Sequence, residues 1–343
     1  MRPPEFLLPW ARFCTNISGE LRLVPADVEE SRLSQAARKS AAATMTARHA
    51  LFGAFVVAFG IITRKVWVGL ALYSVHDDSY SHILLIPLIS VSLVYAAREK
   101  VFAEIRPSIG PGAALVALGL AAFLLASRRS LSADDRLYLS EATLSILLIW
   151  TGGFLVFYGR RAVRAALFPL VFLLLMVPLP DAVLGRVIHL LQEGSTEVAL
   201  LIFKAVGVPV LRQGFVLSLP TVTIEVASEC SSIRSSIALL ITCVLAAHFL
   251  LRTTWRAWLF IALVIPLSVV KNGIRIATLT LLSVYVDPHF LTGSLHREGG
   301  FVFFLLALAM LWPVLLLLQR SERREGNAQI ESRNQTATGY VGG

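Results

Sequence analysis

The stretch GGFVFFLLALAMLWPVLLLL at residues 299–318 runs for 20 positions without a charged side chain. A helix rises about 1.5 Å per residue, so a run of that length covers about 30 Å, the thickness of a bilayer's hydrocarbon core. Comparable runs recur along the chain, and a single cleaved leader would account for only one of them. The composition agrees, with 56% hydrophobic and 15% charged residues over 343 positions. That balance excludes an ordinary soluble domain of this size. The expected fold class is an all-α polytopic membrane protein.

Eight spans are expected, near 47–63, 81–97, 109–127, 139–158, 163–180, 227–250, 257–284 and 299–318. The first is weakly bounded, because Arg64 and Lys65 follow it closely. Trp67 and Tyr73 read either as interfacial anchors or as part of a longer span. Residues 1–48 mix Pro, Ser, Arg and Glu without sustained apolar periodicity and read as a poorly ordered cytoplasmic arm. Residues 49–318 form the expected membrane domain and 319–343 a basic cytoplasmic tail. Met45 is a candidate start, since Met-Thr-Ala-Arg leads straight into the first span; N-terminal sequencing that finds Met1 rejects it. Segment 181–226 begins as a helix carrying Val183, Val187, Leu190 and Leu191, and it changes character at Gly207. The run GVPVLRQGFVLSLPTVTIEV at 207–226 then reads as short strands or an extended loop over the outer helix ends. This segment is either a lid over a cleft or simply an interfacial helix and a loop.

The net charge of +9 would raise nucleic-acid binding in a soluble chain. Here the basic residues sit in short connectors between apolar runs, so they read as topology signals, and the expected partner is the lipid bilayer. Lys and Arg are retained on the cytoplasmic side of a membrane. With the N-terminus inside, residues 1–48, Arg98, Lys100, Arg106, Arg160, Arg161, Arg164, Arg252, Arg256, Arg320, Arg323, Arg324 and Arg333 hold 19 of the 31 basic residues inside. Arg128, Arg129 and Arg136 run against that scheme.

The cysteines are Cys14, Cys230 and Cys243, without zinc-ligand spacing or a disulfide framework. No metal or cofactor is called for. A thiol at the water-facing end of a helix ionises more easily than one in mid-span, which separates Cys230 from Cys243. Cys230 opens the sixth span, Arg275 lies 18 residues into the seventh, and His296 precedes the eighth. Arg275 is then about 27 Å from the cytoplasmic start of its span, so alternating spans bring all three toward one surface. Such a trio permits acyl transfer, with a thiolate nucleophile, a permanently charged oxyanion partner and an imidazole proton shuttle. Each residue also has a plain structural reading. A cysteine packs as a small apolar group, an arginine snorkels, and a histidine beside Arg297 and Glu298 belongs to an ordinary loop.

The surrounding residues resemble the exosortase/archaeosortase family at several separated points. VASECSSIRSS at 226–236 is similar to its nucleophile motif, and NGIRI at 272–276 to its asparagine-x-x-arginine-isoleucine motif. His296 with Gly299 and Gly300 is similar to its final histidine-glycine element. YSHILLIPLISVSLVY at 80–95 resembles its early tyrosine-serine-histidine span, and FPLVFLLLMVPLPD at 168–181 its fifth. The resemblance runs from about residue 50 to 318. It implies a membrane cysteine endopeptidase or transpeptidase with Cys230 as nucleophile and Arg275 and His296 as essential partners. The implied substrates are membrane-anchored exported proteins with a PEP-CTERM-like C-terminal sorting signal: a short recognition motif, a transmembrane helix and a basic tail. The implied location is the bacterial inner membrane, with the site facing the periplasm. Candidate substrate-binding residues are Arg234, which shares a helical face with Cys230, together with Asn272 and His82. Asp77 and Asp78 beside His82 also read as a helix cap. Two departures stand out: Ser232 replaces the usual glycine, and Glu229 replaces the usual small residue before the cysteine. The rivals are a transporter with Lys271, Arg275 and Glu225 lining a polar path, and a noncatalytic scaffold. No internal repeat favours the transporter.

Overall fold

The computed structural model describes residues 26–77, 80–129, 136–226, 233–291 and 300–339. Its helices in chain order are α1 (Ala26–Ile62), α2 (Arg64–His76), α3 (Leu85–Ala96), α4 (Arg98–Val101), α5 (Ile109–Arg129), α6 (Arg136–Ala165), α7 (Leu167–Phe172), α8 (Asp181–Ala205), α9 (Ile233–Leu250), α10 (Thr254–Ala262), α11 (Val264–Tyr285) and α12 (Gly300–Gly339). Short 3-10 turns at Leu173–Met176 and Pro288–Leu291 extend α7 and follow α11. The strands β1 (Leu211–Gln213), β2 (Val216–Ser218) and β3 (Thr223–Glu225) form one antiparallel meander.

Among the described residues six helical stretches are long and apolar enough to cross a membrane, or seven if a bent pair counts as one span. The all-α polytopic class therefore holds, and the number of full spans falls below eight. The physical reason is proline. The expected span at 81–97 shrinks to α3, whose 12 residues cover about 18 Å, because Pro87 sits in its first turn and turns occupy 81–84. The expected span at 163–180 stops at Met176, before Pro178 and Pro180, and α8 leaves at 87°. Pro266 has no N–H for the carbonyl of Ala262, and the expected seventh span breaks at Leu263 into α10 and α11. Those two together still form one stretch of crossing length.

Helices in lipid associate through small residues and close packing, since apolar burial alone gains little there. The α5–α6 pair shows this. A Cβ on Gly112 would come within 2.6 Å of Val156, and one on Gly152 within 2.8 Å of Val116. At Gly159 the backbone turns to φ +88°, and a side chain there would overlap the Arg106 carbonyl. Only glycine accepts both demands, so α6 kinks here and receives the 102–108 connector.

The first span is longer than expected. Thr63 interrupts it, donating to the Phe59 carbonyl at 2.8 Å and accepting from Trp67 Nε1 at 3.1 Å. Beyond this break α2 continues along α6, with Trp67 stacked on Trp150 at 5.4 Å. Trp67 thus belongs to the bundle interior instead of anchoring at an interface. Contacts run in opposite directions along α1–α2 and α6, from His49 with Tyr158 to Tyr73 with Arg136. The bundle has two ends. One holds the starts of α6 and α9, the close of α11 and the small sheet, whose Leu217 packs with Phe203 and Ala277. At the other, Arg256 of α10 is buried against Ser321 at 3.0 Å and against Glu325 of α12. There Glu322 accepts the backbone N–H groups of Arg252 and Thr253 at 3.1 and 2.8 Å, tying the chain just before α10 to α12.

Candidate active site

Two glycines allow α8 and α11 to approach each other. A Cβ on Gly194 would lie 2.7 Å from Val269, and one on Gly273 would lie 2.5 Å from Val198. Contacts advance in the same direction along both helices, so they run side by side. Between them Asn272 Nδ2 donates to Ser195 Oγ at 3.0 Å, with both residues buried. One turn earlier on α8, Gln192 Nε2 donates to the Val226 carbonyl at 2.8 Å, holding the residue that follows β3.

The second seam joins α11 to α9. Lys271, only 1% exposed, donates from Nζ to Ser235 Oγ in the first turn of α9. This contact sets the relative height of the helices. Residues four apart in a helix share a face, so the half-buried Arg275 stands one turn beyond Lys271, about 6 Å further along the axis. Arg234, next to Ser235, is exposed. Lys271 and Arg275 therefore put two cationic groups on one helix face beside the first turn of α9, an arrangement suited to an anion or a developing oxyanion.

The turn carrying His82 belongs to the same end of the bundle. His82 is half-buried, and its carbonyl accepts from Leu85 and Ile86 at 3.0 and 3.2 Å. Its neighbours Tyr80 and Ile83 pack in one cluster with Leu184 of α8 and with Ile233 and Ile237 of α9. Beside them Arg136 pairs with Asp181 and lies 5.8 Å and 5.4 Å from the ring centres of Tyr73 and Tyr80. Burial pushes the Tyr80 hydroxyl above its ordinary pKa, with the Arg136 charge pulling it back. The sequence reading overlooked this cage, whose only outward sign was an arginine on the wrong side of the charge scheme. Arg136 thus pairs with Asp181 and Arg129 with Glu141 at 3.4 Å, and both arginines still run against the charge scheme.

Of the expected site residues, the structure thus brings Asn272, Arg275 and Arg234 to neighbouring turns of two packed helices, and it puts His82 in a turn whose Tyr80 and Ile83 share a hydrophobic cluster with the start of α9. Cys230 and His296 lie outside the described residues, as do Asp78, Glu229 and Ser232. Cys243 is buried in α9 among Leu239, Ala247 and Phe260. Among the described residues no three His, Cys, Asp or Glu side chains gather as a metal site.

A model described as transmembrane exosortase matches residues 67–313. The chain belongs to the transmembrane exosortase family. No curated protein and no solved structure matches it. The exosortase match runs from α2 through the first third of α12, so His82, Arg234, Asn272 and Arg275 all fall within it. The positions of Cys230 and His296 in the sequence fall within it too.

Proposed function

We propose that this exosortase is a cysteine endopeptidase or transpeptidase that cleaves the C-terminal sorting signal of exported membrane-anchored proteins. Cys230 is its nucleophile, and Arg275 and His296 are its partners. The supporting observation is the Lys271–Ser235 contact, which brings Arg275 beside the first turn of α9, whose first residue follows Cys230 by three positions in sequence. In the proposed reaction the Cys230 thiolate attacks the scissile carbonyl carbon, and the negative charge moves to the carbonyl oxygen opposite the Arg275 guanidinium. Arginine stays protonated, so it stabilises charge and moves no proton. Collapse breaks the C–N bond, and the leaving amine takes a proton from the His296 imidazolium. The remaining thioester is released by water, or by an amine acceptor, from which the neutral imidazole removes a proton.

Arg234 is proposed to hold a carbonyl or carboxylate of the substrate, and His82 to assist in binding it. Asn272, buried against Ser195, serves the substrate by locking α11 to α8. The site is proposed to face the periplasm from the bacterial inner membrane.

The test is C-terminal processing of a co-expressed protein carrying a candidate sorting signal. Wild type and Cys243→Ser should process it alike, because Cys243 packs in the apolar core, and Cys230→Ser should abolish processing. Unchanged processing in Cys230→Ser removes the nucleophile assignment. Solute movement dependent on Arg275, without processing, would favour a transporter instead.

A further inference from the structure

At the end of the bundle away from this site, α1, α3, α6 and α7 surround a groove of about 780 Å³. Its walls are apolar, with Phe52, Val56, Val94, Phe154, Leu170 and Leu173 among them. Polar groups gather at one mouth. There His49 Nδ1 lies 2.8 Å from the buried Tyr158 hydroxyl, and the Arg98 guanidinium lies 4.4 Å over the Tyr95 ring. We infer that this groove is a binding site for an anionic phospholipid, with an acyl chain between α1 and α3 and the phosphate at Arg98.

Three observations select that occupant. The first is length. On α1 the groove extends from Met45 to Val56, 11 residues or roughly 16 Å, which is about half of a hydrocarbon core ~30 Å thick. That depth suits a lipid of one leaflet, whereas a crossing helix needs the full thickness. The second is charge. Arg98 lines the mouth, opposed there by Glu99, and Arg48 and Lys100 are the sequence neighbours of the lining residues His49 and Glu99. The nearby Glu104 is already engaged by Arg106 at 2.6 Å and by Arg161. An anionic headgroup meets opposite charge at this mouth, while a transmembrane helix ending in a basic tail meets like charge. The third is shape. Gly53 lines the groove, and a Cβ built on it would meet nothing within 4 Å. The space at α1 is therefore open to a chain and is not taken up by the protein's own packing.

The site is independent of the cysteine chemistry, and its test reads binding alone. The full chain is purified in detergent and exchanged into phosphatidylglycerol or phosphatidylcholine with the same acyl chains. Retained lipid is then counted by native mass spectrometry. Wild type should keep phosphatidylglycerol in preference to phosphatidylcholine. Arg98→Gln should lower that preference about fivefold, as expected from about 1 kcal/mol per basic residue at an anionic headgroup and 1.4 kcal/mol per tenfold. Gly53→Trp should fill the groove and release both lipids. Val91→Trp, from an exposed position on the opposite wall, should do the same, and it serves as the test if Gly53→Trp elutes as aggregate. Equal retention of the two lipids by wild type, or undiminished lipid in the folded tryptophan variants, overturns the assignment. So does displacement of the lipid by a hydrophobic helical peptide with a basic tail that crosslinks at position 53.

Discussion

Lys271 is 1% exposed on a helix of membrane-crossing character, and its hydrogen-bond partner is the neutral hydroxyl of Ser235. A buried charge held for packing alone is poorly justified, since replacing one by an apolar side chain of similar size is often neutral or stabilising. Ionisable residues in spans more often serve function. Lys271→Met is therefore expected to keep or raise the midpoint of thermal unfolding in detergent while lowering the processing rate about tenfold, equivalent to ~1.4 kcal/mol of transition-state stabilisation. Lys271→Arg should restore part of that rate with little change in KM. If the Met variant lost stability and rate in parallel, Lys271 would be a structural strut. The sequence displayed this lysine four residues before Arg275 in an apolar run, but only as one member of a possible transport path. Its contact with Ser235 depends on how α9 and α11 dock, and neither local sequence encodes that. Asn272 is a similar case. Its place in the NGIRI motif was visible in the sequence, but its hydrogen bond to Ser195, 77 residues away, was not.

Among the elements, the α8–α11 seam carries the site, because it fixes the height and rotation of the helix bearing Lys271 and Arg275. At Gly194 a methyl group would sit 2.7 and 3.1 Å from the two γ-carbons of Val269 but 3.5 Å from its Cβ. Gly194→Ala is thus expected to overpack the seam and destabilise the protein by roughly 1–3 kcal/mol, seen as a lower unfolding midpoint in detergent. Val269→Ala removes both γ-carbons, leaves an ordinary contact, and should rescue the Gly194→Ala variant. Failure of the rescue would show that the two helices do not meet at these residues. Hydropathy revealed where apolar helices lie, and the Val, Pro and Gly content of 207–226 showed that it leaves the helical pattern for short strands or an extended loop. Hydropathy also gave continuous spans where the structure has breaks. The signals for those breaks were present in Pro87, Pro178, Pro180 and Pro266. A proline within the first turn can equally well start a helix, so its position in the run had to be known before it could be read as a boundary.

Over the whole molecule the two ends differ in charge. The end formed by α4, the close of α6 and α10 carries Arg98, Lys100, Arg106, Arg160, Arg161, Arg164, Arg252 and Arg256. The end that bears the sheet and the start of α9 has Arg129 and Arg136 matched by Glu141 and Asp181. Since Lys and Arg in short connectors are retained in the cytoplasm whether or not acids lie near them, the end with the larger number of them is expected to face inward, and the sheet end outward with the candidate site. A single cysteine at Gln213 in β1, placed in a background with Cys14, Cys230 and Cys243 changed to serine, should react with a membrane-impermeant maleimide in intact cells. A cysteine at Arg252, before α10, should react only after the membrane is opened. The reverse pattern would put Arg275 on the cytoplasmic face, where a protein already exported could not reach it. The sorting-signal reading would then fall even if Cys230 proved reactive.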